Sequence, residues 1–399
     1  LLSKETGIVF LVLAPLTLFF FTATPPRKII TIAGIMLLVT VVYLFVRAHV
    51  LKSVPDYQHS PLINAVYATT DFVSQRATAF FILLKYILLL LFPAALSYDY
   101  DYAQIPIQQI TNPAVILSIV VYAALFVYAV INIRKKTLLS FAILLYLITL
   151  APVANIFLII ASTLGERLMY IPSFGFCIAI TVLILKLFKV AVAEKNLFDV
   201  KKYFASHRLA FILMFAIVFA YSARTFSRCP DWKSNLTLFG HDVKVTPQSA
   251  TVHYHWGNAL FSTSYEKEQE AEKKKDILQQ VISEYETALK IYPDYMDAYQ
   301  HLADAQNKMG DVENAIKNFE IYNRFSDYSN ANVMLYLGGL YDKTKEYDKA
   351  INAYSIALKH QEKPDAQTYY YIGLLHNKKK EYEAAIPYLD SALSIEPKY

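Results

Sequence analysis

Seven apolar stretches, most close to 20 residues long, follow one another through the first part of this chain, at residues 7–24, 29–46, 77–97, 113–133, 138–162, 174–193 and 209–223. A helix of that length crosses the ~30 Å hydrocarbon core of a bilayer. Seven in series cannot all be core helices of a soluble domain, so residues 1–228 read as a polytopic membrane domain. In lipid every backbone N–H and C=O must be satisfied within the segment, which leaves helices as the spanning element here and makes the expected fold class all-α. The charge distribution divides the chain at the same place. Through Arg228 there are 19 Lys and Arg against 8 Asp and Glu, and beyond it 19 against 25. A greasy, basic first part followed by a polar, acidic, Tyr-rich second part excludes a single soluble globule. The acidic second part has no basic stripe, which excludes nucleic acid as a partner. Cys177 and Cys229 stand alone, so neither a disulfide framework nor a zinc site is expected.

Orientation follows from basic loops, which stay cytoplasmic. Arg134, Lys135 and Lys136 form one cluster, and Lys195, Lys201, Lys202 and Arg208 another. The loops at Asp99 and Asp101 and at Glu166 and Arg167 then fall on the external side, as does everything after Arg228. Arg27 and Lys28 break this pattern unless segment 77–97 re-enters instead of crossing, which would place 50–76 outside. Re-entry is the expectation adopted. The chain opens on Leu1 rather than Met, with no basic leader and no small-residue cleavage site, and reads as the middle of a longer protein.

Charged side chains in apolar segments are costly and mark function. Arg76 opens the third segment, Lys85 lies within it, and Glu166 and Arg167 occupy the turn before the sixth. Cations at a bilayer edge suit lipid-linked phosphates, which a guanidinium binds bidentately and an ammonium binds as a point charge. The competing readings are snorkelling of long side chains, the preferred account for Lys186 and Lys189, and a structural Glu166–Arg167 ion pair.

The second part repeats every 35 residues. Leu302, Leu337 and Ile372 are in register, as are Ala303, Gly338 and Gly373, and Ala315, Ala350 and Ala385, with turns at Gly310, Lys345 and Lys380. This pattern resembles the tetratricopeptide (TPR) repeat, a helix–turn–helix unit whose small residues let its two helices approach closely. An earlier copy starts near His253, and 46 residues separate Ala250 from Met296 where about 34 would be regular. The excess is the charged run 266–275, expected as an exposed helix extension. Residues 250–399 then hold four repeats as an α-solenoid, and 229–249 form a junction in which Phe239 and Pro247 mark a possible half-repeat. No polar capping helix follows the last repeat, so the C-terminus reads as cut. The concave face is expected to present Tyr254, Asn258, Gln300, Asp304, Asn307, Asp342, Tyr370 and Asn377, side chains able to hydrogen-bond an extended peptide. A solvated face with no dedicated ligand is the alternative. No cofactor is evident, no metal-ligand spacing appears, and the need for a divalent metal is not readable.

The order of a multi-spanning domain and then TPR repeats resembles the transmembrane-and-TPR-containing glycosyltransferases, the O-mannosyltransferases and their bacterial relatives with the multi-spanning C-type fold. Three stretches carry the resemblance. Arg76-Ala-Thr, Lys85-Tyr-Ile-Leu-Leu-Leu-Leu-Phe-Pro93, Leu96-Ser-Tyr-Asp-Tyr100 and Ile105-Pro106 resemble the central signature. Gly165-Glu-Arg-Leu-Met-Tyr-Ile-Pro-Ser-Phe-Gly175 resembles the Glu-Arg-x-x-Tyr-x-Pro-Ser loop. Arg228 and Trp232 resemble the junction. The resemblance implies transfer of a sugar from a polyprenyl phosphate donor to a protein acceptor on the external side, with the bacterial inner membrane as the expected location. It implies that Arg167, Arg76 and Lys85 neutralise the lipid phosphate and that Glu166 orients Arg167. The family's catalytic acidic residue lies in the first external loop, so it is expected upstream of Leu1 and the catalytic base is unassigned. A membrane-anchored TPR scaffold without catalysis is the competing function. A transporter is disfavoured, because no inverted repeat or broken-helix pair is seen.

Overall fold

The computed structural model describes residues 5–51, 60–190 and 207–397. The basic residues Lys195, Lys201 and Lys202, and both terminal residues Leu1 and Tyr399, lie outside the described residues. The chain separates into two compact units, Leu1–Ser249 and Ala250–Tyr399, and the described residues contain helices and no strand.

In the first unit the apolar segments become α1 (Phe10–Phe21), α2 (Pro26–Leu51), α3 (Phe72–Leu91), α4 (Pro113–Asn132), α5 (Leu138–Leu150), α6 (Tyr170–Leu187) and α7 (Arg208–Arg228), and a polar helix α8 (Asn235–Val245) follows. Among the described residues, five helical stretches are long and apolar enough to cross a membrane, while Gly7–Phe21 and Leu138–Val153 are shorter. Side chains cap the starts of α3, α4 and α5: Asp71 accepts from Ser74 N, Asn112 from Ala114 N, and Thr137 from Ser140 N, satisfying donors a helix start leaves free. Large apolar side chains such as Ile30, Phe45 and Leu187 point outward. Such a surface is costly in water and suited to lipid.

The third segment is an unbroken helix, α3, that starts at Phe72 and stops at Leu91, short of 97. The fifth segment is not one helix through 162. Pro152 cannot continue the hydrogen-bond ladder, and Asn155 then turns at φ 57°, in the left-handed region, so that 154–165 forms an irregular loop. Helices α5 and α6 pack closely because position 175 is glycine. A Cβ there would lie 2.7 Å from Ala142 O and Tyr146 N.

The second unit pairs α9 (Ala250–Ala259) with α10 (Ala271–Ile291), α11 (Met296–Met309) with α12 (Val312–Phe325), α13 (Ala331–Lys343) with α14 (Tyr347–His360), and α15 (Ala366–Lys378) with α16 (Tyr382–Ile395). The small positions lie where helices meet. A Cβ at Gly338 would come within 2.9 Å of the Tyr354 ring, and one at Gly373 within 2.7 Å of Leu389. The three turns share one geometry: Gly310, Lys345 and Lys380 take φ of 91°, 63° and 64°. After each, a main-chain bond closes the helix end, from Asp311 N to Gln306 O, Glu346 N to Tyr341 O and Glu381 N to His376 O. This is the left-handed C-terminal cap that glycine favours. The insertion is not a simple helix extension: Leu260–Tyr265 widens into a π turn, residues 266–270 are non-helical, and α10 starts only at Ala271. The possible half-repeat at Phe239 belongs instead to the first unit, where its ring meets Tyr98 edge-on at 5.7 Å.

Candidate functional site

Three polar stretches of the first unit meet on one face. The loop after α3, residues 97–104, bonds both to the turn 163–166 and to α8 with the residues after it. Ser97 N donates to Glu166 Oε1 at 2.9 Å, and the Tyr100 hydroxyl donates to the same oxygen at 2.6 Å. Thr163 N donates to Asp101 Oδ1 at 3.3 Å. On the other side, Tyr98 N donates to Asp242 Oδ2 at 2.6 Å, Ser249 Oγ to Asp99 Oδ2 at 2.7 Å, and Ala103 N to Gln248 O at 2.8 Å. Because these bonds join the three stretches directly, they lie on the same face of the unit. Asp242 is closed off from water and pairs with Arg228 Nη2 at 2.8 Å, while Arg228 Nη1 reaches Asp231 at 3.0 Å. Burial, then the neighbouring Asp99 carboxylate, hold Asp101 well above the usual carboxylate range. Burial, then the Glu166 charge beside it, also push the Tyr100 phenol up.

The predicted lipid-phosphate residues separate in this frame. Glu166 is held by Ser97 and Tyr100, and among the described residues it forms no ion pair with Arg167. The expectation that Glu166 orients Arg167 is therefore replaced: Glu166 anchors the loop. Arg167 is exposed, which leaves its guanidinium open to an anion. Arg76 Nη1 donates to Asn155 O at 3.3 Å, on the loop that leads to Arg167, with its guanidinium 4.6 Å from the Phe72 ring. Lys85 is nine residues further along α3, which at 100° per residue is the opposite side of the helix. It lies in the second-last turn, exposed, over the Phe81 ring at 5.3 Å, within snorkelling reach of the helix end. The structure brings Arg76 to the Arg167 loop and sets Lys85 apart.

The loop itself is held by two buried asparagines that the motifs did not single out. Asn64 Nδ2 donates to Asn155 Oδ1 at 3.0 Å and to Ile160 O at 2.9 Å. Asn155 Nδ2 donates to Ser162 O and Thr163 O, and its Oδ1 accepts from Ile160 N. Both side chains are fully buried.

In the repeat unit the proposed groove residues differ in availability. Asn258 is engaged within its own repeat, accepting from the Tyr285 hydroxyl at 2.7 Å, so it serves the inter-helix seam. Asp342 is bound by Lys378 at 2.6 Å, a bridge from one repeat to the next. Tyr254 joins an aromatic group with Tyr295 at 4.8 Å and His301 at 5.5 Å. Gln300, Asp304, Asn307 and Tyr370 are half-buried and Asn377 is exposed. Burial lowers His301, against the nearby Asp297 charge, and pushes Asp304 up to about 6, against Lys308.

Asp304 carries a test. Its folded value exceeds the unfolded value of about 3.9, so the charged form is disfavoured by folding. The penalty is absent below about pH 4, grows as pH rises through 4–6, and is complete above about 6. Asp304→Asn is expected to raise the unfolding temperature of the full chain at pH 7 and to leave it unchanged at pH 4. A pH-independent effect would show that desolvation of the carboxylate is not its source.

Two models described as tetratricopeptide repeat match residues 335–399 and 297–320. The chain is also similar to curated protein O-mannosyl-transferases. Mouse TMTC1 is 26% identical over 263 residues, covering 64% of this chain and 25% of the mouse protein. The Caenorhabditis elegans protein F38B6.6 is 28% identical over 223 residues, 54% of this chain and 27% of its own length. The chain thus spans about a quarter of the length of the curated relatives it matches. Among solved structures, the crystal structure of MamA aligns over 41% of this chain and 87% of its own, with a TM-score of 0.35 and 21% identity.

The resemblance read from the motifs agrees with these O-mannosyl-transferase relatives. What it missed is the joining of the motifs. Asp242 lies in a stretch that read as a fragment of repeat. Asn64 and Asn155 carry no spacing signal, since an asparagine in a loop looks the same whether exposed or buried. A local sign did exist at the Asp-Tyr-Asp run 99–101: two acids flanking an aromatic directly after a span.

Proposed function

We propose that this chain forms part of a membrane glycosyltransferase that moves a sugar from a polyprenyl phosphate to a protein acceptor. The observation that carries the reading is Arg167, an exposed cation at the Glu-Arg motif, on a loop fixed from below by Glu166, Asn64 and Asn155. In the reaction the bond from the sugar's anomeric carbon to the phosphate oxygen breaks and a bond to an acceptor hydroxyl forms. The departing phosphate gains charge, and a positioned guanidinium stabilises it most where that charge develops. Arg76, on α3 and hydrogen-bonded to the same loop, adds to the positive field. The hydroxyl proton passes to a general base.

In this reading the face made of 97–104, 163–166 and 242–249 is external. The basic cluster at Arg134, Lys135 and Lys136 supports that placement, since such loops remain cytoplasmic and α4 separates it from the 97–104 loop. The repeats are then external as well and hold the acceptor polypeptide, with the bacterial inner membrane as the host membrane.

The test is the transfer rate of the full-length protein with Arg167→Lys and Arg167→Ala. Lysine keeps the charge but loses the planar fork, and a hydrogen bond to a charged group is worth about 1.5–3 kcal/mol. Transfer should fall about tenfold to a hundredfold or more for both variants. Unchanged kinetics in both would remove Arg167 from the site and favour the membrane-anchored scaffold.

A further inference from the structure

At the C-terminal end of α7 a cavity of about 240 Å³ is lined by Pro93, Leu96, Tyr221, Arg224, Arg228 and Trp232, among others. It exists because α7 caps α3. The last carbonyls of α3 have no helical partner, and α7 supplies the donors. The Tyr221 hydroxyl reaches Leu90 O and Leu91 O, Arg224 Nε donates to Pro93 O at 2.8 Å, and Arg224 Nη2 donates to Ala94 O at 2.6 Å. These acceptors fix the guanidinium but carry no formal charge. Among the described residues Arg224 has no carboxylate within ion-pair distance, its remaining contact being Ser227 Oγ at 3.4 Å.

The other arginine at the cavity is already committed. Arg228 is 5% exposed and commits its terminal nitrogens to Asp231, His241 and Asp242. Arg224 is thus a cation without a counter-charge at the edge of an apolar span, which points to an anionic ligand.

The rim supplies the location. Trp232 is 57% exposed and lies 5.9 Å from the Arg228 guanidinium, and Tyr221 of α7 also lines the cavity. Indole and phenol rings settle at the headgroup level of a bilayer. The cavity is smaller than the roughly 300–1,000 Å³ that encloses a whole drug-sized ligand. It suits a headgroup whose tails stay in the bilayer beside the outward-facing Phe219 and Phe226.

We propose that this cavity binds the phosphate of a membrane lipid, with Arg224 as the ion-pair partner. The same chemistry is offered by an anionic glycerophospholipid and by a polyprenyl phosphate. The proposal rests on Arg224 and does not depend on the transfer step at Arg167.

The test uses the full chain with Trp256→Phe, which leaves Trp232 as the sole tryptophan, purified in neutral detergent. Phosphatidic acid, polyprenyl phosphate, diacylglycerol and polyprenol are titrated separately, following Trp232 fluorescence and lipid retention by native mass spectrometry. A saturable, one-to-one signal is expected with a phosphate-bearing lipid and not with its phosphate-free counterpart. Whichever of the two phosphates binds more tightly identifies the source. Arg224→Gln should weaken binding about tenfold or more, while Arg134→Gln should leave it unchanged. Since Arg224 also caps α3, Thr225→Leu provides a second variant. It narrows the cavity while keeping both cations, and should weaken binding as well. Equal binding of phosphate-bearing and phosphate-free lipids, or unchanged affinity in both cavity variants, would overturn the proposal.

Discussion

Arg228→Met is expected to cost about 3–5 kcal/mol of stability, the range for removing one partner of a buried ion pair. The loss comes less from the broken pair than from what remains. Asp242 is 0% exposed, and without Arg228 its carboxylate keeps only the Tyr98 main-chain donor and His241. A charge left in that position has neither water nor a full counter-charge. The damage should spread along the bonded face, because the same aspartate ties α8 to the 97–104 loop. The double change Arg228→Met and Asp242→Leu should recover part of the loss. Apolar replacement of both partners removes the stranded charge, although Tyr98 N then lacks its acceptor. Unfolding free energy by denaturant titration of the full chain in detergent measures both. A single variant no less stable than the double one would show that Asp242 is not a stranded charge there.

Asn155→Ala is expected to cost about 3 kcal/mol or more, from two separable sources. Four hydrogen bonds disappear from a site sealed from water, and each buried group left unpaired costs about 1–3 kcal/mol. The main chain also sits at φ 57°, which costs a residue with a Cβ about 1–2 kcal/mol. Asparagine tolerates that region better than alanine does. Asn155→Gly removes the hydrogen bonds but relieves the backbone, so it should be more stable than Asn155→Ala by about 1–2 kcal/mol. The same unfolding titration ranks the three proteins. If glycine and alanine are equivalent, the backbone contributes nothing. If both match the parent, the asparagine pair does not hold the Arg167 loop. Because that loop carries Arg167, the Ala variant should also lower transfer in proportion to the loop's loss of order.

Much of this was legible in the residues. The apolar runs specify helices wherever lipid replaces water, because no other backbone arrangement satisfies its own polar groups. The 35-residue register placed the small residues at the inter-helix seams and the turns at Gly310, Lys345 and Lys380, since a helical hairpin can close only where a Cβ is small and a residue can turn left-handed. Where the reading erred, a long-range partner had overridden a local pattern. Phe239 has the look of a repeat position, yet its ring rests on Tyr98. Asn258 has the spacing of a groove residue, yet it accepts from Tyr285 on its own partner helix. Lys85 lies within a segment read as running to 97, yet the helix ends at Leu91, which brings Lys85 near its end.

By itself, then, the sequence determined the all-helical class, the division into an apolar basic part and an acidic repeat part, and the Glu-Arg motif as the place to look. These depend on composition and on periods of a few residues, and both are local. Only the tertiary structure decided that Glu166 anchors instead of orienting Arg167, that Arg76 comes to the Arg167 loop while Lys85 faces away, and that Asp242 is a buried counter-charge. Each of these rests on a contact between residues 13 or more apart in the chain, or on the side of a helix a residue occupies. Burial, the quantity that turns an ordinary Asp or Asn into a structural keystone, exists only once the chain has closed around it.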